Sequence, residues 1–224
     1  MRGGKVTAAA IALAATAFVA VEGEDAQATW AERCRAVEAQ SQVRQSQVTG
    51  TGARVAVIGD SWSQGYRLDE PVGSWPAQLP GQVWVDGFAG SGFSLTASPC
   101  AGVSYAARTA PALATDPDLV VVQGGLNDFD MPAAQVRAGA LEVLDALAGR
   151  AVVVVGPAAA PRRAAGAAEV DRMLSEVAEE VGVPYVRTYD WELDYLADRL
   201  HLTTAGHVDF GRRVAAVITE LGLL

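Results

Sequence analysis

The chain has little of the chemistry that usually holds metals and cofactors. Among its 224 residues there is one lysine, Lys5, with two histidines, His201 and His207, and two cysteines, Cys34 and Cys100. So few imidazoles and thiols argue against a zinc or iron site, and no cofactor is expected. Lys5 lies in a segment that we expect to be removed. The mature chain would then lack the lysine that a Schiff base or a phosphate-binding P-loop requires.

Positive charge is also scarce. The chain has 17 Lys and Arg against 26 Asp and Glu, a formal net charge of −9 at pH 7. This sign argues against nucleic acid or an anionic membrane surface as the main partner. Half of the residues are hydrophobic, which is ample apolar material for one globular core.

The amino terminus has the pattern of an export signal. Arg2 and Lys5 precede an uncharged apolar run at residues 6–21, and Ala26-Gln27-Ala28 supplies the small-x-small pattern of a signal-peptidase site. A transmembrane anchor is the alternative, but an alanine-rich run of this length is short for a hydrocarbon core of about 30 Å. We interpret residues 1–28 as a signal peptide. We therefore expect a secreted, extracellular protein with no stable membrane insertion after signal removal.

Two cysteines in an exported chain indicate a disulfide between Cys34 and Cys100. The alternative is two unrelated buried thiols. In a chain-entropy model, closing so long a loop stabilises the fold by roughly 4 kcal/mol.

The remaining chain divides into an N-terminal segment, residues 29–52, and a main domain, residues 53–224. The segment is predicted to be a short helix followed by a linker rich in glutamine and serine. In the domain, apolar runs alternate with apolar residues at helical spacing, and the runs predict five strands: Arg54–Ile58, Val83–Val85, Leu119–Gln123, Ala151–Val155 and Pro184–Arg187. This alternation predicts an α/β fold, a three-layer sandwich around a mostly parallel sheet.

Residues that could carry chemistry fall in four motifs, three after predicted strands and one before the last helix. The motifs are Gly59–Ser63, Gly87–Gly92, Gly124–Asp128 and Asp198–His207. Parallel strands bring their carboxyl ends to one edge of the sheet, where open α/β sheets bind ligands. Ser61 is therefore a candidate nucleophile, although a serine in a strand-ending turn can equally serve to bond its own backbone.

A nucleophilic serine needs a base, a carboxylate that orients the base, and donors for an oxyanion. His201 follows Asp198 by three residues, close enough within one turn for the carboxylate to meet Nδ1–H. His207 has Asp209 nearby but is predicted to open the last helix, behind the site, where we expect a structural role. We favour His201 as the base.

The segments GDSWS, the glycine-rich SG turn, GGLND and DRLH, in this order, resemble the four sequence blocks of the SGNH hydrolase superfamily, also called GDSL lipases and esterases. The resemblance covers essentially the whole domain and is to a secreted, bacterial-type member. It implies an α/β/α sandwich with a flavodoxin-like, five-stranded sheet. It also implies that Ser61 is the nucleophile, His201 the general base and Asp198 its orienting partner, with Asp60 supporting the turn.

The same resemblance assigns the oxyanion hole to the backbone N–H of Ser61, the backbone N–H of a glycine in the second motif, and the side-chain amide of Asn127. We choose Gly92 as that glycine, because the residue in the family usually follows a serine. Gly90 is the second candidate.

Some residues depart from the family pattern. Trp62 stands where the family commonly has a smaller aliphatic residue, so it either narrows a substrate pocket or fills the core. Leu202-Thr203 replaces the common Pro-Asn, without removing a catalytic atom. For Arg162 and Arg163, after the fourth strand, we favour a solvated loop over contact with a carboxylate or sugar substrate.

The predicted function is hydrolysis of carboxylic esters through an acyl-enzyme, without metal or organic cofactor. Short loops and the absence of an apolar lid insertion favour small acyl groups, carried by a small-molecule or glycan ester. One alternative is a non-catalytic, secreted carbohydrate-binding protein, which would be expected to lose Ser61, His201 or Asn127. An acyltransferase or thioesterase of the same superfamily is another. A phosphoesterase is disfavoured because the chain lacks metal-binding histidines.

Overall fold

The computed structural model describes residues 29–224, and the predicted signal peptide, residues 1–28, lies outside them. The described chain divides into two units between Ala36 and Val37. Both cysteines, Cys34 and Cys100, are disulfide-bonded, which confirms the predicted bridge. Within residues 29–224, no helix has the length and apolar character needed to cross a bilayer.

The first helix is longer than the sequence predicted. Helix α1 covers residues 29–46 and continues through the stretch that was predicted to be a linker. Its last turn is stabilised by side-chain hydrogen bonds. Arg44 is buried and donates to the Gln47 carbonyl at 2.7 Å. Gln45 donates to Asp86 Oδ1 at 3.0 Å. The linker is therefore confined to residues 47–52.

The sheet has five strands, and all of its strand pairs are parallel. The strands are β1 (Arg54–Gly59), β2 (Gln82–Gly87), β3 (Leu119–Gln123), β4 (Val152–Val155) and β5 (Tyr185–Val186). Their order in the sheet is β2-β1-β3-β4-β5, which is the flavodoxin-like order. The predicted fold class is confirmed. The predicted third strand matches β3 at both ends, and the other four differ from the observed strands by one or two residues at their ends.

Helices cover both faces of the sheet. They are the short α2 (Ser61–Gln64) and α3 (Thr109–Ala114), and the longer α4 (Ala133–Ala146), α5 (Ala164–Val181) and α6 (Thr204–Glu220). One face buries Val57, Val121 and Val153 in a cluster with Phe210 and Val214 of α6. The other face buries the alternate strand residues in a second cluster, with side chains of α4 and α5: Ile58, Val122, Val154, Val143 and Val177. Two apolar clusters on opposite sheet faces make the three-layer sandwich.

This strand order positions the site. Along the chain, β2 lies on one side of β1 and β3 on the other, so the order reverses next to β1 and a crevice opens beyond the carboxyl ends of these strands. The first three sequence motifs follow β1, β2 and β3 directly. The fold thus brings residues from distant parts of the sequence to one edge of the sheet.

Candidate active site

The turn after β1 presents Ser61 at the first position of a four-residue helix, α2. Asp60 is the N-cap, and its Oδ1 accepts a hydrogen bond from the Trp62 backbone N–H at 2.9 Å, which satisfies a helix-terminal donor. Asp60 thus supports the turn, as expected. The turn needs glycine at residue 59, because a Cβ there would lie 2.0 Å from Ser63 Oγ. Burial raises the pKa of Asp60 to about 6, against the opposing effect of the Trp62 N–H.

Trp62 fills the core, which was one of its two predicted roles, the other being to narrow a substrate pocket. Its side chain is 1% exposed and packs edge-on against Phe210, with ring centroids 5.3 Å apart. Its indole N–H donates to the Leu200 carbonyl at 3.1 Å. This hydrogen bond connects the turn that carries Ser61 to the residue that precedes His201.

The base candidate and its carboxylate make the contact that their spacing predicted. His201 Nδ1 lies 2.7 Å from Asp198 Oδ2. The other carboxylate oxygen, Oδ1, accepts the backbone N–H groups of Leu200 and His201, both at 3.0 Å. All of these bonds lie within four residues, so the loop fixes the orientation of the imidazole locally.

The charge states of this pair suit proton transfer. Burial opposes the ionised form of Asp198, but the hydrogen bonds from His201 and from two backbone N–H groups hold the pKa of Asp198 well below its usual value. Burial lowers the pKa of His201, and this effect exceeds the opposite effect of Asp198. At neutral pH the pair is therefore a carboxylate and a neutral imidazole. With Nδ1–H donated to Asp198, Nε2 carries the free lone pair.

Two neighbours of this pair were not predicted. The Tyr66 ring lies 5.2 Å from the His201 ring between centroids, and Arg67 Nη1 lies 3.3 Å from Asp198 Oδ2. A cavity of about 360 Å³ opens at these residues and is lined also by Gln40 and Gln64. Their position just after the GDSWS segment was the only signal in the sequence.

Among residues 29–224, no hydrogen bond joins Ser61 Oγ to His201. Ser61 is 8% exposed. Catalytic hydrogen bonds are commonly loose in unliganded enzymes and tighten when substrate binds. The loop that carries Ser61 and the loop that carries His201 are joined instead by the hydrogen bond from the Trp62 indole N–H to the Leu200 carbonyl.

Asn127 is held on both sides of its amide. Its Nδ2 donates to the Ser91 carbonyl at 2.8 Å, and its Oδ1 accepts from Arg163 Nη1 at 2.5 Å. An amide nitrogen has two hydrogens, and the second one has no acceptor among the described residues. One N–H of Asn127 is therefore available to an oxyanion.

The peptide geometry favours Gly90 over Gly92 as the second donor. The carbonyl and N–H of a trans peptide point in opposite directions. Because the Ser91 carbonyl faces Asn127 Nδ2, the Gly92 N–H of the same peptide points away from it. Gly92 is also packed, since a Cβ there would lie 2.5 Å from Asp128 Oδ2. At Gly90, where φ is 87°, a Cβ would meet no atom within 4 Å.

A buried arginine, also missed by sequence reasoning, connects the first two motifs. Arg108 donates to the Gly59 carbonyl at 2.9 Å, to Ser91 Oγ at 2.8 Å and to Asp86 Oδ1 at 3.0 Å. The motif after β3 braces the second motif as well, because Asp128 accepts the backbone N–H groups of residues 93 and 94. Burial raises the pKa of Asp128 to about 7.

Burial distinguishes the environments of His207, Arg162 and Arg163. His207 lies in α6, is 1% exposed, and its Nδ1 accepts the Trp75 backbone N–H at 3.3 Å. Burial lowers the pKa of His207 to about 4, which fits the structural role expected for it. Arg162 is exposed, as a solvated loop predicts, whereas Arg163 is half-buried against Asn127. Within residues 29–224, no three His, Cys, Asp or Glu side chains cluster as a metal site would require.

The model of the GDSL-like Lipase/Acylhydrolase family matches residues 57–208, a range that contains all four motifs. Among solved structures, the chain is similar to a carbohydrate acetylesterase from Sinorhizobium meliloti, with 18% identity, a TM-score of 0.65, and coverage of 76% of this chain and 100% of that one. It is also similar to an aryl esterase from M. smegmatis, with 20% identity, a TM-score of 0.62, and coverage of 76% and 100%. No curated protein matches the sequence. At these identities, the likeness to solved structures establishes the fold.

Proposed function

Because the chain belongs to the GDSL-like lipase/acylhydrolase family, we propose that it hydrolyses carboxylic esters through a covalent acyl-enzyme formed on Ser61. The observation that carries this proposal is the 2.7 Å contact between His201 Nδ1 and Asp198 Oδ2. Burial, which lowers the pKa of His201, favours the neutral imidazole. A neutral histidine held in the Nδ1–H tautomer is the form that accepts a proton from serine.

In the proposed reaction, Ser61 Oγ attacks the ester carbonyl carbon while His201 Nε2 takes the hydroxyl proton. The carbonyl oxygen becomes an oxyanion, and the C–O bond to the leaving alcohol then breaks. His201 delivers its proton to that alcohol oxygen. A water molecule attacks the acyl-enzyme in the same way, returning the proton to Ser61 and releasing the acid. Asp198 stays ionised throughout and stabilises the imidazolium.

Three donors would stabilise the oxyanion: the Ser61 N–H, the free N–H of Asn127 Nδ2, and a glycine N–H. The sequence favoured Gly92 for the third donor, and the peptide geometry favours Gly90. The N–H groups of Ser61, Gly90 and Gly92 donate to no acceptor among residues 29–224, so the choice between the two glycines rests on the direction of the Ser91–Gly92 peptide. Donors that need no reorganisation during reaction are the most effective in stabilising such charge.

We propose a short acyl group, acetyl above all, on a small-molecule or glycan ester. A cavity lined by Gln40, Gln64 and Arg67 opens at the Tyr66 ring, and that ring packs against His201. These polar side chains support a polar alcohol. The leaving alcohol must lie beside the histidine that protonates it. The similar structures described as carbohydrate acetylesterase and aryl esterase are consistent with small ester substrates. The disulfide supports an extracellular location.

The test is turnover of p-nitrophenyl esters of increasing acyl length and of acetylated sugars by the purified protein. The acetyl esters should be cleaved fastest, and Ser61→Ala should be inactive on all of them. A fluorophosphonate should label Ser61, as mass spectrometry of the digested protein would reveal. Equal rates for the parent protein and Ser61→Ala would refute the mechanism. A carbohydrate-binding protein without activity would bind the sugars and cleave none of the esters.

A further inference from the structure

We infer that Arg163 is a positioning residue for the proposed oxyanion hole: it orients the Asn127 side chain so that an amide N–H faces the reacting carbonyl. The inference rests on the proposed function. It concerns an arginine for which the sequence favoured a solvated loop.

The contacts of Asn127 allow one orientation of its amide. Arginine carries donors only, and a backbone carbonyl is an acceptor only. Arg163 Nη1 at 2.5 Å must therefore face Oδ1, and the Ser91 carbonyl at 2.8 Å must face Nδ2. If the amide were flipped, two donors would oppose each other at Arg163 and two acceptors at Ser91. These two contacts direct the remaining N–H of Nδ2.

Arg163 is itself held at several points. The same Nη1 donates to the Leu126 carbonyl at 3.0 Å, and the guanidinium stacks on the Phe129 ring with Cζ 4.7 Å from its centroid. Asn127 lies between these two residues in the sequence, so Arg163 contacts three of the four consecutive residues Leu126–Phe129. A cation in such contact also polarises the amide, which strengthens its N–H as a donor.

Arg163 lies at a position where a positively charged residue is unfavourable. It is the N-cap residue of α5, and its side chain makes no capping bond to that helix. Positive charge is unfavourable at a helix N-terminus, where the macrodipole is already positive. Locally unfavourable placements of this kind are expected for residues that contribute to a functional site. The matched neighbour, Arg162, has the same charge one residue earlier and is exposed.

The experiment compares kcat and KM for Arg163→Gln, Arg163→Lys, Asn127→Ala and the double variant Asn127→Ala/Arg163→Gln, with Arg162→Gln as control. Arg163→Gln should lower kcat about tenfold or more, but by less than the ~10²–10³ expected when a donor is lost outright. KM should stay within about twofold, because the bond to the oxyanion forms only in the transition state. Arg163→Lys should restore part of kcat, and Arg162→Gln should have no effect.

The double variant separates positioning from a general structural role. If Arg163 acts through Asn127, the double variant should be no slower than Asn127→Ala alone. A double variant whose loss equals the product of the two single losses would overturn the inference, as would Arg163→Gln with the parent kcat. If Arg163→Gln fails to fold, judged by circular dichroism, the same cycle is run with Arg163→Lys. Activity in Ser61→Ala would refute the proposed function itself, whereas an inactive Ser61→Ala beside a fully active Arg163→Gln would refute the positioning role alone.

Discussion

The candidate site has two halves that are built in different ways. The base half, Asp198–His201, closes its hydrogen bonds within one turn of chain. The proposed oxyanion half consists of Ser61, Asn127 and the glycine turn at Ser91, which follow three different strands. Asn127 contacts the Ser91 carbonyl and Arg163, which precedes α5. Because the hydrogen bonds of the base half all lie within one loop, we expect this half to keep its geometry when neighbouring loops shift slightly. An assembled half depends on the relative placement of several loops, so residues outside the reacting groups should matter more there.

The largest effect should come from the base half. In Asp198→Asn, the amide oxygen can keep the two backbone N–H groups, which leaves the amide nitrogen facing His201 Nδ1. That contact favours the tautomer with the proton on Nε2, which cannot accept a proton from Ser61. We expect kcat to fall by roughly 10³–10⁴, as for loss of the orienting carboxylate in a serine triad.

Steady-state kinetics on p-nitrophenyl acetate would measure this change, with Asp194→Asn as the control. Asp194 is exposed in the same loop and carries the same charge. A fall below tenfold in Asp198→Asn, or an equal fall in both variants, would contradict the role given to the pair.

The next effect should come from the oxyanion half. Asn127→Ala removes one donor, and we expect kcat to fall by ~10²–10³ with KM nearly unchanged. Gln82→Ala is a suitable control, because Gln82 is an exposed amide at the opposite end of β2. A change in KM alone would place Asn127 in ground-state binding instead.

A smaller effect should appear in the pH profile. The base must be neutral, and the pKa of His201 is lowered mainly by burial, so the acid limb of kcat/KM should lie below pH 6.5. Arg67→Gln removes a cation 3.3 Å from Asp198. Because this cation disfavours the imidazolium, its removal raises the pKa of His201. The limb should move to higher pH, by about half a unit or less because the half-exposed guanidinium is screened by solvent.

This shift would be measured from kcat/KM between pH 4 and 8 at two ionic strengths. Arg212→Gln, an exposed residue of α6, supplies the same charge change away from the site. A limb that moves equally in both variants, or moves to lower pH in Arg67→Gln, would contradict the local electrostatic account.

The smallest effect concerns stability, where the two halves should respond to pH in opposite directions. Burial raises the pKa of Asp128, in the oxyanion half, to about 7, so its contribution is fully present below its unfolded pKa of about 3.9 and is lost as pH rises through 7. The lowered pKa of Asp198 has the opposite sign, and its contribution is lost on acidification. Asp128→Asn should therefore lose less thermal stability than the parent between pH 5 and 8.

Circular dichroism melts at several pH values would measure this difference in slope. Asp145→Asn, exposed on α4, is the control. Because His201 and His207 are present in every variant, their titration cancels in the comparison. Parallel Tm curves for the parent and Asp128→Asn would show that Asp128 does not titrate in this range.

Sequence reasoning succeeded where the physical cause is local. Alternating apolar runs located all five strands, because a strand buried on both faces needs a continuous apolar run. Three-residue spacing located the contact between Asp198 and His201. The length of α1 was missed because its last turn is stabilised by partners distant in sequence, such as Asp86 for Gln45.

The sequence by itself determined the fold class, the order of the motifs and the base half of the site, since each follows from short-range periodicity and spacing. Only the tertiary structure decided that Arg163 contacts Asn127, that Trp62 fills the core, and that the Ser91 carbonyl turns the Gly92 N–H away from Asn127. The physical reason is that the direction of a peptide plane, or the partner of a long side chain, depends on how separate loops approach each other. No local pattern encodes that approach.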